Sequence, residues 1–214
     1  MRTLEELLKE GTLLLKKADI EEARLDAWLL LEYTAGKDRA YYYAHPEEMT
    51  DEETEKEYLA LCRKRAEHIP LQHLTHRADF MGHEFYVDGR VLVPRQDTEI
   101  LAEEALKILK DMEDPDILDM CTGSGCLVLS LLMEIPGARG TGADVSAAAL
   151  DVARENAARL GVDNRAEFVE SDLFSGEYFR QKSRTEQHKY DMLISNPPYI
   201  PTAEIEELMD EVRF

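Results

Sequence analysis

The chain has 214 residues, of which 44% are hydrophobic and 33% are charged, a composition typical of a globular protein with a sizeable core. Its 45 acidic and 25 basic residues give a net charge of −20, which opposes binding to nucleic acid. No apolar run is long enough to cross a membrane and the acidic N-terminus is unlike a signal peptide, so we expect a cytoplasmic protein. The three cysteines are few and odd in number, so we expect reduced thiols. No further ligands stand near them at suitable spacing, so we expect no metal site.

The N-terminal third of the chain is predicted to be helical. Leucines recur at helical spacing over residues 1–75, and glycine or proline separates the segments, as in a small bundle. Two capping boxes, Thr3 with Glu6 and Thr50 with Glu53, predict where helices begin.

The next segment changes its period. Residues 78–93 carry aromatic and β-branched residues with glycines between them, which predicts a β-hairpin. Thr98 is then predicted to cap a helix that runs to Leu109, with Ile100 and Ile108 among its apolar residues.

Beyond Pro115 the pattern is strand, turn and helix, repeated. Four strands are predicted, at 117–118, 140–145, 166–169 and 190–195. Strands that alternate with helices indicate an α/β fold with a doubly wound parallel sheet. The polar stretch 176–189 is predicted to be a loop. We therefore expect three parts: a helical domain at 1–75, a hairpin linker at 76–95 and an α/β core at 96–214.

A glycine turn follows the first of these strands and opens a helix, with the sequence DMCTGSGC from Asp119 to Cys126. Gly123 and Gly125 allow a ligand to approach the backbone closely. Val128 stands where a dinucleotide site would have its third glycine, which disfavours that ligand. The turn has no lysine, which excludes a P-loop.

Acidic residues stand at or just beyond the carboxyl ends of three successive strands: Asp119, Asp144 and Asp172. Asp144 is placed to bind ribose hydroxyls, and Asp172 to accept from an adenine amino group, with Leu173 or Phe174 packed on the adenine ring. An adenosyl ligand with cationic groups and no phosphate fits this set, which points to S-adenosylmethionine. Singly, Asp144 could also be a helix N-cap and Asp172 a turn former.

The fourth strand ends in Asn196-Pro197-Pro198-Tyr199. An amide nitrogen is a poor nucleophile, so a site that methylates it must orient the lone pair and accept hydrogen bonds from both N–H groups. The Asn196 side-chain oxygen and the Pro197 carbonyl are the predicted acceptors, the prolines stiffen the turn, and Tyr199 offers a stacking face. A proline-rich turn without a function is the alternative for this segment alone.

Together these motifs resemble a known family. The glycine turn and Asn-Pro-Pro-Tyr are similar to those of S-adenosylmethionine-dependent amino methyltransferases, and VLVPRQDTE at 91–99 resembles a signature of release factor glutamine methyltransferases. The segment 79–85 matches that family's hairpin, and the helical N-terminal domain matches as well. The resemblance implies a Rossmann-like methyltransferase core that methylates the glutamine of the Gly-Gly-Gln loop in class I peptide chain release factors, leaving S-adenosylhomocysteine.

The resemblance also implies roles for individual residues, and our expectations combine these with the carboxylates above. Asn196 to Tyr199 would hold the glutamine, with Asn196, Pro197 and Tyr199 as the catalytic groups. The N-terminal domain would dock the release factor. The expected cofactor contacts are Asp119, Cys121, Thr122, Gly123, Ser124, Gly125, Asp144, Asp172, Leu173 and Asn196.

Three departures from the family pattern qualify these expectations. Cys121 replaces a glycine, and Gln96-Asp97 replaces Pro-Glu. The family's sheet has further strands beyond Asn-Pro-Pro-Tyr, so we expect a truncated protein with an open sheet edge and impaired catalysis. The alternatives are a ribosomal-protein glutamine methyltransferase, an adenine-N6 or cytosine-N4 nucleic-acid methyltransferase, and a binding module without activity.

Overall fold

The computed structural model describes residues 1–182 and 189–198. The chain divides into two compact units, with the boundary between Thr75 and His76. The segment 76–95, predicted to be a linker, falls within the second unit. No helix in the described ranges has the length and apolar character needed to span a bilayer.

The first unit is a helical bundle. Its helices are α1 (Leu4–Lys17), α2 (Ala23–Ala35), α3 (Arg39–Ala44), α4 (Glu52–Ala66) and α5 (Leu71–Thr75). Helices α1, α2 and α4 pack on one another around a core that includes Leu7, Leu15, Leu30 and Tyr58, all fully buried. Burial of these side chains, rather than helix propensity, supplies most of the stability of short helices like these.

One of the two predicted capping boxes is confirmed. The Thr3 hydroxyl accepts from the Glu6 amide at 3.2 Å, and the Glu6 carboxylate accepts from the Thr3 amide at 3.0 Å. The box predicted at Thr50 is wrong, because Asp51 caps α4 and Thr50 instead donates its hydroxyl hydrogen bond to the Arg2 carbonyl. Aspartate is as good an N-cap residue as threonine, so Asp51 can take this position while the Thr50 hydroxyl binds a backbone carbonyl that is distant in the chain.

A close approach between α1 and α4 depends on Gly11. A Cβ at this position would lie only 2.7 Å from Cζ of Tyr58 and 3.1 Å from Sγ of Cys62. The aromatic ring of Tyr58 therefore occupies the space that any other residue at position 11 would need.

We expect Gly11→Ala to lower the free energy of unfolding by about 1–3 kcal/mol, because the methyl group overpacks the core by more than the better helix propensity of alanine can offset. Urea unfolding of both proteins measures this difference. Tyr58→Phe is the matched control and should be close to neutral, because among the described residues the buried Tyr58 hydroxyl interacts only with the Cys62 thiol, a weak hydrogen-bonding group. A stabilised Gly11→Ala variant would contradict the close packing.

The second unit begins with a short antiparallel hairpin, β1 (Ala78–Phe80) and β2 (His83–Phe85). The hairpin predicted over 78–93 is thus confirmed only in its first half. The remainder is not strand: Val87 and Val91 are buried in a cluster with Val152 of α8 (Ala147–Leu160).

Helix α6 (Gln96–Leu109) follows, and the cap predicted for it is wrong. The N-cap residue is Arg95, in an extended conformation without a side-chain cap, so Thr98 lies inside the helix. Ile100 and Ile108 are exposed, while the buried face is formed by Thr98, Ala102, Ala105 and Leu109. Helix α6 packs on α7 (Cys126–Glu134), and its buried face is formed mainly by small residues.

The prediction of a doubly wound parallel sheet is confirmed. The strands are β3 (Asp116–Met120), β4 (Arg139–Asp144), β5 (Ala166–Glu170) and β6 (Met192–Ser195), in the order β5-β4-β3-β6 and all parallel. The helices between them are α7 (Cys126–Glu134), α8 (Ala147–Leu160) and α9 (Glu177–Lys182). The loop predicted at 176–189 is wrong in its first part, where α9 forms, and 183–188 lie outside the described residues.

Candidate active site

The chain reverses its direction across the sheet at β3. From β3 it proceeds to β4 and β5 on one side, then returns to place β6 on the other side of β3. Such a reversal leaves a crevice at the carboxyl ends of the strands, where α/β sheets bind ligands. The glycine turn directly follows β3, and Asn196 directly follows β6, with Met120 paired to Ser195 in register.

The glycine turn contains three residues in the left-handed region: Cys121 (φ 64°), Gly123 (φ 55°) and Gly125 (φ 81°). A Cβ at Gly125 would lie 2.9 Å from the Leu129 side chain, so this glycine is required by space as well as by angle. A Cβ at Gly123 would meet nothing within 4 Å, so that part of the turn faces open space. Cys121 bears the cost of a left-handed conformation, about 1–2 kcal/mol for a residue with a Cβ.

Asp144 holds the turn in place through its carboxylate. Its Oδ2 accepts from the Gly123 amide at 2.9 Å, and its Oδ1 accepts from the Ser146 amide at 2.9 Å. Ser146, not Asp144, is the N-cap of α8, so the alternative role for Asp144 is wrong. Each carboxylate oxygen keeps lone pairs for further donors, such as the hydroxyl groups of a ligand.

Asp119 lies beneath the turn. Its side chain has no solvent exposure, and Oδ2 accepts from the Thr122 hydroxyl at 2.7 Å. Desolvation raises the pKa of Asp119 to about 7; the Thr122 hydrogen bond opposes this shift and the nearby charge of Asp144 adds to it. Its burial and its hydrogen bond to Thr122 make Asp119 a support of the glycine turn, and its expected contact with a ligand stays a prediction.

The raised pKa of Asp119 makes a prediction about stability and pH. The carboxyl of Asp119 binds its proton more tightly in the folded protein than in the unfolded chain, where its pKa is near 3.8. Ionisation of Asp119 therefore lowers the stability of the folded protein progressively as pH rises from about 4 to about 7. The full effect is at most about 4 kcal/mol, from about 1.4 kcal/mol for each pKa unit.

Urea unfolding across that pH range tests this prediction with Asp119→Asn, which has no such proton to lose. The variant should gain stability relative to the wild-type protein as pH rises. Asp163→Asn makes the same change at an exposed aspartate and is the control with which the result is compared. A pH-independent difference for Asp119→Asn would show that Asp119 is ionised throughout.

Asn156 is a supporting residue that the sequence reasoning missed. It is buried in α8, where its Oδ1 accepts from the Tyr86 amide at 2.7 Å and its Nδ2 donates to the Tyr86 and Ser124 carbonyls at 3.0 and 2.9 Å. It thus joins the segment after the hairpin to the glycine turn. The signal available in the sequence was an amide within the otherwise alanine-rich face of a predicted helix.

The turn after β5 displays the next predicted residues. Asp172 is exposed, and Leu173 has a left-handed conformation (φ 48°) with 54% of its surface exposed. Ser171 stabilises this turn, since its hydroxyl donates to the Leu173 carbonyl and accepts from the Gly176 amide. The turn therefore offers a carboxylate and an apolar side chain at the same edge as Asp144.

Asn196 is exposed, and its Nδ2 donates to the Thr98 hydroxyl at 3.1 Å. Pro197 and Pro198 are exposed as well, and Tyr199 lies outside the described residues. The preceding Ser195 donates to the Met120 carbonyl, which ties the end of β6 to the start of the glycine turn.

Burial raises the pKa of the neighbouring Cys121 thiol, so this thiol is neutral at pH 7.

The parallel sheet, the glycine turn and the Asp144 carboxylate at the end of β4 are typical of α/β proteins that bind a ligand at the carboxyl edge of the sheet. Within that class, a family model described as "Methyltransferase small domain" matches residues 97–211, and one described as "PrmC N-terminal domain" matches residues 6–75. The class is therefore that of the methyltransferases.

Curated relatives narrow this class. The chain is 43% identical over 214 residues to release factor glutamine methyltransferase of Chlorobaculum tepidum, covering 97% of this chain and 71% of that protein. It is 38% identical over 210 residues to the protein of the same name from Deinococcus radiodurans, covering 98% and 72%. The chain belongs to the release factor glutamine methyltransferase family, which confirms the resemblance seen in its motifs.

Solved structures give partial likenesses. TrmN from Thermus thermophilus is 25% identical, with a TM-score of 0.38, over 47% of this chain and 28% of that chain.

Proposed function

We propose that this protein transfers a methyl group from S-adenosylmethionine to the side-chain amide nitrogen of the glutamine in the Gly-Gly-Gln loop of class I release factors. The observation that carries the proposal is the placement of the Asn196 amide at the sheet edge where the open glycine turn and Asp144 also lie. Family membership narrows the substrate, since the relatives named above are release factor glutamine methyltransferases.

The residues at this edge fit the proposed cofactor. The open space beside Gly123 admits a ligand against the backbone, and Asp144 has lone pairs for ribose hydroxyls. Asp172 and Leu173 would bind the adenine, and Cys121, Thr122, Ser124 and Gly125 shape the turn. When bound, the cofactor supplies an electrophilic methyl group on a cationic sulfur, a charge that neighbouring carboxylates favour.

Asn196 and Pro197 hold the nucleophile. The Asn196 Oδ1 and the Pro197 carbonyl each accept from one N–H of the substrate amide, so that its nitrogen lone pair points along the line of attack. Both hydrogen bonds strengthen as this nitrogen gains positive charge in the transition state. The nitrogen loses one proton to solvent after it has gained the methyl group, so no strong base is required. Pro198 stiffens the turn, and Tyr199 is proposed to stack on the amide plane.

The partner is part of the same proposal. We infer that residues 1–75 dock the release factor and that the protein works in the cytoplasm, where translation ends. The net charge of −20 supports a protein rather than a nucleic acid as the substrate, because it opposes the phosphate backbone.

We expect Asn196→Ala to lower kcat by about 10²-fold or more, since it removes one of two acceptors at the reacting nitrogen. Steady-state methyl transfer to a purified release factor measures this. Asn164→Ala is the matched control, because Asn164 is also exposed but precedes β5, away from the carboxyl edge of the sheet. Near-normal turnover by Asn196→Ala would remove Asn196 from the mechanism.

The substrate is tested with labelled S-adenosylmethionine offered to a release factor, a ribosomal protein and DNA in parallel. The release factor should take the label, and a Gln→Ala change in its Gly-Gly-Gln loop should abolish labelling. Label on DNA or on the ribosomal protein alone would refute the proposed substrate, and absence of label from all three would refute activity of this chain.

A further inference from the structure

Thr98 and Asn196 are separated by 98 positions in the chain and meet at the site. Thr98 is nearly buried, with 9% of its surface exposed, and its hydroxyl accepts from Asn196 Nδ2 at 3.1 Å. Asn196 is exposed. The amide is thus anchored on one side by the protein and open on the other.

An asparagine amide has two ends of similar shape and opposite hydrogen-bonding character. The NH₂ end only donates and the carbonyl end only accepts. A freely rotating Asn196 would present its NH₂ group to the substrate NH₂ group for part of the time, and two donors repel each other. In the structure the NH₂ end donates to the Thr98 hydroxyl, and the accepting oxygen is the end left for the substrate.

Thr98 is itself held on a rigid element. It lies in the first turn of α6, and the Thr98 amide donates to the Arg95 carbonyl at 3.0 Å. The next residue, Glu99, accepts from the Met81 amide at 2.7 Å, which fixes the start of the helix to the hairpin turn. A side chain that belongs to a loop therefore takes its orientation from a helix.

We propose that Thr98 is a positioning residue that holds the Asn196 side chain in place for methyl transfer. This inference rests on the proposed function, in which Asn196 Oδ1 accepts from the substrate nitrogen. Thr98 does not cap its helix, because α6 has no side-chain N-cap bond. The Thr98 hydroxyl is therefore not needed to cap α6, and removing it should affect turnover more than folding.

Thr98→Val keeps the size and branching of the side chain and replaces the hydroxyl with a methyl group. We expect kcat to fall about tenfold, as when one hydrogen bond of a positioned group is lost, with the cofactor dissociation constant within about twofold of wild type. Thr98→Ser, which restores the hydroxyl, should recover most of the turnover. In the Asn196→Ala background, Thr98→Val should have no further effect, because Thr98 acts only through Asn196.

A second measurement does not depend on activity. The side-chain ¹⁵N–¹H₂ signals of Asn196 should be dispersed and ordered in the wild-type protein and in Thr98→Ser, and averaged in Thr98→Val. Equal turnover in Thr98→Val and wild type, or an Asn196 amide as ordered in Thr98→Val as in wild type, would overturn the inference. Ordered wild-type signals that collapse in Thr98→Val, in a protein that methylates no substrate, would refute the proposed function and leave the positioning contact standing.

Discussion

The hydrogen bond from the Gly123 amide to the Asp144 carboxylate is the constraint on which the site depends. It joins the turn after β3 to the end of β4, so the carboxyl ends of these two neighbouring strands are held together. Asn156 adds a link from the same turn to Tyr86, and Ser195 adds one from β6 to Met120. Four segments that are distant in the chain are thereby fixed around one crevice, which the parallel register had already placed at a common edge.

Elements with strong local signals could be predicted from the sequence. Helix α8 ends at Gly161, in the left-handed conformation that glycine favours, and the capping box at Thr3 forms as its spacing suggested. The four parallel strands followed from apolar runs that alternate with helices. These features depend on residues within a few positions of each other, which is the range that a sequence pattern records.

Other details depended on tertiary contacts and could not be predicted. Ile100 and Ile108 are hydrophobic and yet exposed, while α6 buries the smaller Ala102 and Ala105. Threonine is a common N-cap residue, yet α6 begins two residues before Thr98, and the Thr98 hydroxyl accepts a hydrogen bond from Asn196 instead. The acidic residue Asp119 was correctly expected near the glycine turn, but only the burial of β3 shows that it lies beneath the turn.

The contact between Gly11 and Tyr58 has a consequence for how this chain can diverge. A side chain at position 11 and a large ring at position 58 exclude each other, because both would fill the same volume between α1 and α4. A larger residue at the first position becomes acceptable only after the second has shrunk. The two positions therefore form a coupled pair, and the order in which they mutate decides how stable the intermediate is.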